Sequence, residues 1–382
     1  MVKRLARSNA SSTPTWIWQA PGWPEFRWDD ARLAAALSKA RLRQGELVGA
    51  ARLLDSGLSR EAQAQILIQD GINTSAIEGE RINLDAIRSS VARHLGLPTA
   101  GSRAAPRSVD GLVEVLLDAT THFAKPLTKE RLFGWHAALF PTGRWGLSVV
   151  RTGALRGKEP MQVVAGAIGH QKVHFEAPPR TGLANEVNRF LDWFNTPAPH
   201  LDGLVRAGLA HLWFVTIHPF EDGNGRIARA ITDLAISQDE LRAQRLFSLS
   251  AQIMLQRDAY YAVLERTQRG TLDVTPWLLW FLEQVALACD LANGTIADVL
   301  AKARFWLRHQ GTLINERQRK VINVLLDAGP GGFVGGMNTR NYVSLTRASR
   351  ATAYRELADL VEKRCLASSG AGRSVSYEIR WQ

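Results

Sequence analysis

The segment spanning residues 204–217 is nearly all apolar, and this feature constrains the fold most strongly. It is too short to cross a bilayer, as is the apolar run at residues 277–282, because a membrane-spanning helix takes about 20 apolar residues. A helix that is apolar on every side has to be buried in a protein core. The sequence therefore predicts a helical domain built around this segment.

Apolar residues recur at helical spacing through most of the chain. The pattern predicts a mainly α fold, with helices over residues 31–54, 60–73, 112–117, 129–140, 185–195, 227–236, 260–269 and 275–291. Residues 161–179 differ, because Val-Val, Val-His-Phe and Ala-Pro-Pro alternate there with glycine. This composition predicts a short β-hairpin within the helical region.

The N-terminal residues 16–28, WIWQAPGWPEFRW, are rich in tryptophan and proline. Proline at this density disfavours a regular helix, and large aromatic rings gain free energy when they are buried. We expect an extended arm that packs against the protein body.

A Gly-, Ser-, Ala- and Pro-rich loop at residues 98–106 is typical of a linker. The predicted organisation is an N-terminal region at 1–105, a core at 106–300 and a C-terminal domain at 301–382.

The C-terminal domain has its own pattern, with helices predicted at 316–326, 338–343 and 349–364 and a strand at 374–380. Three helices followed by a β-wing resemble a winged helix-turn-helix domain, in which residues 349–357 would form the recognition helix. From residue 301 onward, 14 Lys and Arg residues stand against 6 Asp and Glu residues, so this part holds +8 of the net charge of +11. A nucleic acid is one partner for such a surface. A solvated basic face, or a module that binds protein or dimerises, is the alternative.

The chain has two cysteines, Cys289 and Cys365, which are too few for a disulfide framework. Its basic N-terminus leads into polar residues and lacks the apolar stretch of a signal peptide. These features predict a cytoplasmic protein that does not enter a membrane.

Residues 218–229, HPFEDGNGRIAR, carry the strongest chemical signal. Gly223, Asn224 and Gly225 predict a tight loop that opens a helix, where unpaired backbone N–H groups favour a phosphate. Arg226 and Arg229 lie three residues apart and therefore share a helical face beside that loop. Two guanidinium groups suit a polyphosphate.

Two further side chains in the segment fit phosphoryl chemistry. Asp222 directly precedes the loop and can hold a Mg²⁺ ion that bridges phosphates. His218 follows the buried helix, and its neutral imidazole can accept a proton from an attacking hydroxyl. Each residue alone has a plainer interpretation, His218 as a capping residue and Asp222 as part of a turn. The combination favours catalysis.

The segment resembles the signature of the Fic family, His-x-Phe-x-Asp/Glu-Gly-Asn-Gly-Arg-x-x-Arg, at every specified position. The tryptophan-rich arm, residues 74–83, the hairpin residues 173–179 and the C-terminal domain are also similar to bacterial Fic proteins. The resemblance implies a Fic-type helical core with a short β-hairpin flap. It further implies a protein adenylyltransferase, which moves AMP from ATP to a Ser, Thr or Tyr hydroxyl.

The resemblance also assigns roles to individual residues. His218 would be the general base and Asp222 the Mg²⁺ ligand. The loop of Gly223, Asn224 and Gly225 would bind the α- and β-phosphates, and Arg226 and Arg229 the outer ones. The flap, near residues 169–179, would align the target by strand addition. Residues 260 and 261, both tyrosines, would line the adenine pocket, although core packing is the alternative for both.

Residues 74–79, TSAIEG, resemble the inhibitory motif of the same family, Ser/Thr-x-x-x-Glu-Gly/Asn. Glu78 would then pair with Arg229 and take away a ligand for the γ-phosphate. The competing interpretation is a capping box from Ser75 to Glu78 at a helix start.

The resemblance leaves several points open. It allows removal of AMP instead of addition, and transfer of another phosphate-containing group. It also allows self-modification and homodimers. A regulator that binds DNA through its C-terminal domain is a further hypothesis from a different functional class.

Overall fold

The computed structural model describes residues 15–52, 54, 56–98, 104–145, 148–165, 172–329, 333, 336–370 and 375–381. Its helices are α1 (Asp30–Ala51), α2 (Ser56–Ile77), α3 (Leu84–His94), α4 (Arg107–Thr121), α5 (Lys129–Leu139), α6 (Leu183–Asn195), α7 (Gly203–Ile217), α8 (Asn224–Glu240), α9 (Leu249–Leu255), α10 (Arg257–Gln268), α11 (Thr275–Arg308), α12 (Glu316–Ala328), α13 (Thr339–Thr346) and α14 (Arg350–Glu362). Three antiparallel pairs of short strands accompany them: β1 (Arg144–Trp145) with β2 (Ser148–Val149), β3 (Gln162–Ala165) with β4 (Lys172–Glu176), and β5 (Leu366–Ser369) with β6 (Ser376–Ile379). The fold is mainly α, as predicted.

The chain divides into two compact units. The first unit comprises Met1–Gly49 and Gln63–Ala292, and the second comprises Ala50–Ala62 and Asn293–Gln382. Within the described residues, no helix is both long enough and apolar enough to cross a membrane.

Helix α7 occupies the core of the first unit, as its apolar sequence predicts. Every residue from Leu204 to Ile217 is buried except Arg206. The Asp202 side chain starts the helix by accepting hydrogen bonds from the N–H groups of Leu204 and Val205. Helix α8 packs along α7 and is buried from Ile227 to Ser237, so the two helices flanking residues 218–223 have little freedom to move.

The tryptophan-rich arm packs against the first unit, as predicted. It forms a short 3-10 helix at Ile17–Gln19. The Trp16 ring meets Phe175 of β4 edge-on, with the ring centroids 5.3 Å apart. Further along the arm, Trp23 and Phe26 both pack against Trp213 of α7. The arm therefore contacts both the central helix and the hairpin of β3 and β4.

The second unit contains α12, α13 and α14, followed by the β5–β6 hairpin, around its own apolar core. The three helices and β6 are confirmed within a few residues of their predicted bounds. Strand β5 was not predicted. The element order is the one expected of a winged helix-turn-helix domain, and the DNA-binding role of that domain stays a prediction.

Two elements differ from the sequence prediction near the inhibitory motif. Helix α2 continues to Ile77 instead of ending at Asn73, and α3 was not predicted. Ser75 thus lies in the last turn of α2, so the capping box at a helix start is wrong. The structural reason is burial, because Thr74 and Ser75 pack inside the first unit and continue the helix there.

Candidate active site

His218 follows α7 directly and occupies its C-cap position in a left-handed conformation, with φ 51°. Its Nδ1 atom lies 3.2 Å from the carbonyl oxygen of Val215. Because a carbonyl oxygen can only accept a hydrogen bond, Nδ1 has to be the protonated nitrogen when the ring is neutral. The Nε2 atom is then left with a lone pair that can accept a proton.

The pKa of His218 is lowered to about 4, mainly by burial, and the nearby Arg156 guanidinium acts in the same direction. The hydrogen bond to Val215 and the charge of Glu78 act in the opposite direction. The imidazole is therefore neutral at pH 7, as a general base requires.

Arg156 supports the His218 loop, a role that the sequence did not reveal. Its buried guanidinium donates to the carbonyl oxygen of His218 at 2.8 Å and to that of Pro178, which follows β4. Its backbone N–H also donates to the Pro219 carbonyl at 2.9 Å. One arginine thereby connects the His218 loop to the hairpin segment.

The glycine loop leads into α8 as predicted. Gly223 adopts φ 78°, a region that L side chains rarely enter, and a Cβ there would lie 2.9 Å from the Phe140 ring. The Asn224 side chain accepts from the Phe220 N–H at 3.0 Å and donates to the Phe220 carbonyl at 2.9 Å. This side chain therefore fixes the loop at the N-terminal end of α8, the end at which a helix directs its backbone N–H groups outward.

Asp222 lies at the start of the loop, with its side chain about one-third exposed. Burial raises its pKa, while the guanidinium of Arg226 acts against this rise. A partly buried carboxylate with an incompletely compensated charge gains free energy from a cation. Its oxygen donors are of the type that Mg²⁺ prefers, usually from one or two carboxylates together with phosphate oxygens. Asp222 therefore fits the predicted metal ligand.

Arg229 is buried and paired with Glu78. Its Nη2 atom donates to Glu78 Oε1 at 2.7 Å and to the Thr74 carbonyl at 2.8 Å, while Nε donates to the Thr74 hydroxyl at 2.7 Å. The Glu78 carboxylate also covers the start of α8, since a Cβ at Gly225 would clash with its Oε1 atom. The structure thus brings Glu78 onto the arginine that the inhibitory motif predicts.

Arg226 pairs with Glu80, a residue that the sequence prediction left out. The Arg226 Nη1 atom lies 3.1 Å from Glu80 Oε2, and Nη2 lies 3.6 Å from Asp222 Oδ1. The guanidinium stacks over the Phe140 ring, with its carbon 5.0 Å from the ring centroid. Both arginines of the signature are therefore engaged by carboxylates that follow α2.

A cavity of about 410 Å³ opens beside His218 and Gly225. Both predicted tyrosines line it, and Val163 and Val164 of β3 border it from the hairpin side. Tyr260 is also a core residue, since it is 2% exposed and its hydroxyl lies 2.9 Å from Nε2 of His211. The remaining lining residues are Glu78, His174, Phe175, Val215, Arg257, Leu264, Glu265 and Gln268.

The hairpin beside this cavity is confirmed as an antiparallel pair, β3 with β4. His174 of β4 lies 2.6 Å from the Glu265 carboxylate of α10, and Arg269 donates to the Val173 carbonyl at 2.9 Å. Residues 169–171 of the predicted flap lie outside the described part of the chain.

Comparison with known proteins identifies two matching families. Residues 126–236 match the family model described as Fic/DOC family, and residues 16–97 match one described as Domain of unknown function (DUF4172). The first match contains the whole segment from His218 to Arg229. The second contains the tryptophan-rich arm, Glu78 and Glu80.

Two curated relatives are named "Protein adenylyltransferase Fic". One, from Culex quinquefasciatus, is 28% identical over 245 residues, which are 62% of this chain and 44% of the relative. Another, from Drosophila willistoni, is 32% identical over 124 residues, which are 32% of this chain and 23% of the relative. The chain thus spans less than half the length of these relatives.

A similar solved structure is a Fic family protein from Desulfovibrio desulfuricans G20, with a TM-score of 0.52 and 19% identity. The likeness covers 90% of this chain and 96% of that one. At this identity the comparison supports a shared fold.

Proposed function

This chain contains a domain of the Fic/DOC family, and we propose that the domain transfers AMP from ATP to a Ser, Thr or Tyr hydroxyl of a protein. One observation carries the proposal. His218, whose Nε2 lone pair can accept a proton, lines the cavity together with Gly225 at the start of α8. Arg226 and Arg229 follow Gly225 on the same helix. The curated relatives named adenylyltransferases support the choice of AMP.

The proposed reaction is an in-line displacement at the α-phosphorus. The target hydroxyl oxygen forms the new bond to phosphorus, and the bond from phosphorus to the pyrophosphate oxygen breaks. The hydroxyl proton passes to Nε2 of His218. The N–H groups at the start of α8, with Arg226 and Arg229, stabilise the negative charge on the phosphates. No covalent enzyme intermediate is required.

Asp222 would hold the Mg²⁺ ion, which supplies positive charge to the phosphates and the leaving pyrophosphate. The second proposed contribution to catalysis is the positioning of His218 and of the loop before α8. Arg156 fixes the backbone of His218, and the Asn224 side chain fixes the loop that precedes α8. A cavity of about 410 Å³ provides room for a nucleoside beside these groups.

We further propose that Glu78 inhibits the transfer. Its carboxylate lies 2.7 Å from Nη2 of Arg229, where it competes with a phosphate for that guanidinium. It also places negative charge at the start of α8, next to Gly225. ATP would therefore bind weakly, or with its phosphates displaced from His218.

Incubation with labelled ATP and Mg²⁺ tests both proposals when the wild type, Glu78→Gly and His218→Ala are compared. Glu78→Gly should increase the label on the protein or on an added target, and His218→Ala should abolish it. Equal labelling of all three proteins would contradict the proposal. The mass added to the target distinguishes AMP from another phosphate-containing group. Loss of AMP from a modified target would indicate the reverse reaction.

A second candidate function belongs to the second unit, which we propose binds duplex DNA through α14. Arg350, Tyr354 and Arg355 are exposed on one face of this helix, and Tyr354 is 63% exposed. Ala351 and Ala358 on the same face are small enough to allow close approach of a nucleic acid. Within the described residues, neither of these arginines is in an ion pair.

Two of the three carboxylates of α14 are paired within the second unit. Glu356 accepts hydrogen bonds from Tyr342 at 2.6 Å and from Asn315 at 3.0 Å, and it pairs with Arg317. Asp359 pairs with Lys363 at 2.6 Å. The third carboxylate, Glu362, is exposed in the last turn of the helix. The exposed face is therefore basic from Arg350 to Arg355, and a phosphate backbone is the complementary partner for that part.

Fluorescence anisotropy with a labelled mixed-sequence duplex, measured over a range of salt concentrations, tests this function. The double variant Arg350→Glu/Arg355→Glu should lose affinity and reduce the slope of log K against log salt by roughly 2, as expected when two phosphate contacts are lost. The matched control is Arg88→Glu/Arg107→Glu, which changes the net charge equally at exposed sites of the first unit. No binding at low salt, or equal loss in both double variants, would contradict the proposal.

A further inference from the structure

Glu80 is held in place by the backbone at the end of α2. Its N–H donates to the Ser75 carbonyl at 3.0 Å, and the N–H of Gly79 donates to the Ala76 carbonyl at 3.0 Å. With Gly79 at φ 82°, these bonds form a Schellman motif, the common glycine-dependent helix end. The motif places Glu78 at the C-cap and Glu80 two residues later. One turn therefore presents two carboxylates to α8.

The two carboxylates engage different arginines. Glu78 contacts Arg229 at 2.7 Å, and Glu80 contacts Arg226 at 3.1 Å. The Arg226 side chain is 5% exposed, and Glu80 is 20% exposed, so water screens this pair only partly. Phe140 lies under the Arg226 guanidinium and restricts its reorientation.

The formal charges show why a second contact matters. Two guanidinium groups stand against the carboxylates of Glu78, Glu80 and Asp222, which leaves one net negative charge where phosphates are proposed to bind. Removal of Glu78 alone gives two charges of each sign. When Glu80 is also neutral or displaced, these five side chains together offer a net positive charge to ATP.

We infer that Glu80 is a second inhibitory carboxylate, which holds Arg226 away from the nucleotide while Glu78 holds Arg229. This inference rests on the proposed function. Because both residues follow one Schellman turn, unwinding of the last turn of α2 would release both arginines together. Loss of Glu78 alone would release only Arg229, and Arg226 would stay paired with Glu80.

Calorimetric titration with ATP and Mg²⁺ separates the two contacts. Four proteins are compared, each carrying His218→Ala so that ATP is not consumed: the parent, Glu78→Gly, Glu80→Gln and the double variant. We expect Glu80→Gln to raise the ATP affinity by roughly threefold to tenfold in the Glu78→Gly background, the range for loss of one competing ion pair. Glu80→Asp keeps the charge and should retain most of the inhibition.

The control is Asp85→Asn, which makes the same charge change at an exposed carboxylate near Glu80. Thermal unfolding of each variant shows whether the fold is kept, and Glu80→Ala replaces Glu80→Gln if that variant does not fold. An unchanged affinity in both backgrounds would overturn the inference, as would an equal rise with Asp85→Asn. Labelling is measured separately on the same variants with His218 intact. If Glu78→Gly with His218 intact transfers AMP while the affinity is unchanged by Glu80→Gln, the proposed function stands and the inference fails. If no variant with His218 intact transfers AMP while the affinity still responds to Glu80, the proposed function fails separately.

Discussion

At the scale of single residues, the candidate site combines side chains that are neighbours in the chain with partners that are distant in sequence. The signature residues from His218 to Arg229 are adjacent in the chain, so their grouping could be read directly. Glu80 and Arg156 were missed because their partners, Arg226 and the His218 loop, are distant in sequence. No local pattern encodes such contacts.

The pH dependence of the transfer tests the state of His218. Burial lowers its pKa to about 4, and the loss of Glu78 removes one influence that raises this pKa. The base form therefore persists as the pH falls, and we expect kcat/KM of Glu78→Gly to stay nearly constant from about pH 8 to pH 6. An acid limb with its midpoint near pH 6.5 would contradict the assignment.

Substitution of Gly223 tests the backbone of the loop. Gly223→Ala places a Cβ 2.9 Å from the Phe140 ring in a left-handed conformation, so we expect a loss of roughly 1–3 kcal/mol in the free energy of unfolding. The control is Gly134→Ala in an exposed part of α5, where a Cβ meets nothing within 4 Å. That change should stabilise the helix by about 0.5–1 kcal/mol. Denaturant unfolding of both variants measures the difference, and equal effects would argue against the strained loop.

At the scale of elements, most helices were predicted, including the short helices α5 and α13, whereas α3 and α9 were missed. Helix α7 was predicted because its composition admits only a buried position. Helix α9 has seven residues and strand β5 has four, which are too few to show a clear period. Helix α2 was predicted to end at Asn73, because Asn, Thr and Ser favour turns. Tertiary contacts outweigh that preference, since the Thr74 hydroxyl and carbonyl both bind Arg229.

His211 connects α7 to its neighbours, with Nδ1 3.0 Å from Thr232 of α8 and Nε2 2.9 Å from Tyr260 of α10. Burial lowers its pKa to about 3, and the charge of Arg229 contributes. Below pH 6.5 the unfolded chain binds a proton at His211 that the folded chain does not bind until about pH 3. This residue therefore makes the folded state less stable as the pH falls through that window.

His211→Gln isolates this effect. The advantage of the wild type over the variant in the free energy of unfolding should shrink by about 2 kcal/mol between pH 7 and pH 5. Denaturant unfolding at the two pH values measures it. His200→Gln, at an exposed position, serves as the control and should show no such change. A constant difference for His211→Gln would mean that the folded protein accepts the proton in this range.

At the scale of the whole molecule, each proposed function uses residues of one unit. The transfer site is formed by residues between Thr74 and Gln268, and the DNA-binding face lies on α14. The boundaries of the two compact units fall near Gly49, Ala62 and Ala292, within helices α1, α2 and α11, and the domain bounds drawn from the sequence stay a prediction. A helix that continues through a boundary gives no composition signal in the sequence.

The separate placement of the two sites predicts independent activities in the absence of DNA. Arg350→Glu/Arg355→Glu, introduced into Glu78→Gly, should lose affinity for the duplex and still accept label from ATP at the rate of Glu78→Gly alone. Labelling and anisotropy on the same protein preparation measure both. A parallel loss of labelling would show that α14 contributes to the transfer.

The most direct test of the central claim is a crystal structure of Glu78→Gly with Mg²⁺ and a nonhydrolysable ATP analogue. We predict that the nucleoside occupies the cavity beside His218 and that Nε2 of this histidine faces the α-phosphorus. Asp222 should contact the metal ion, and Arg229, which this substitution releases from Glu78, should contact the outer phosphates. A nucleotide bound elsewhere, or phosphates that do not contact Arg229, would contradict the account.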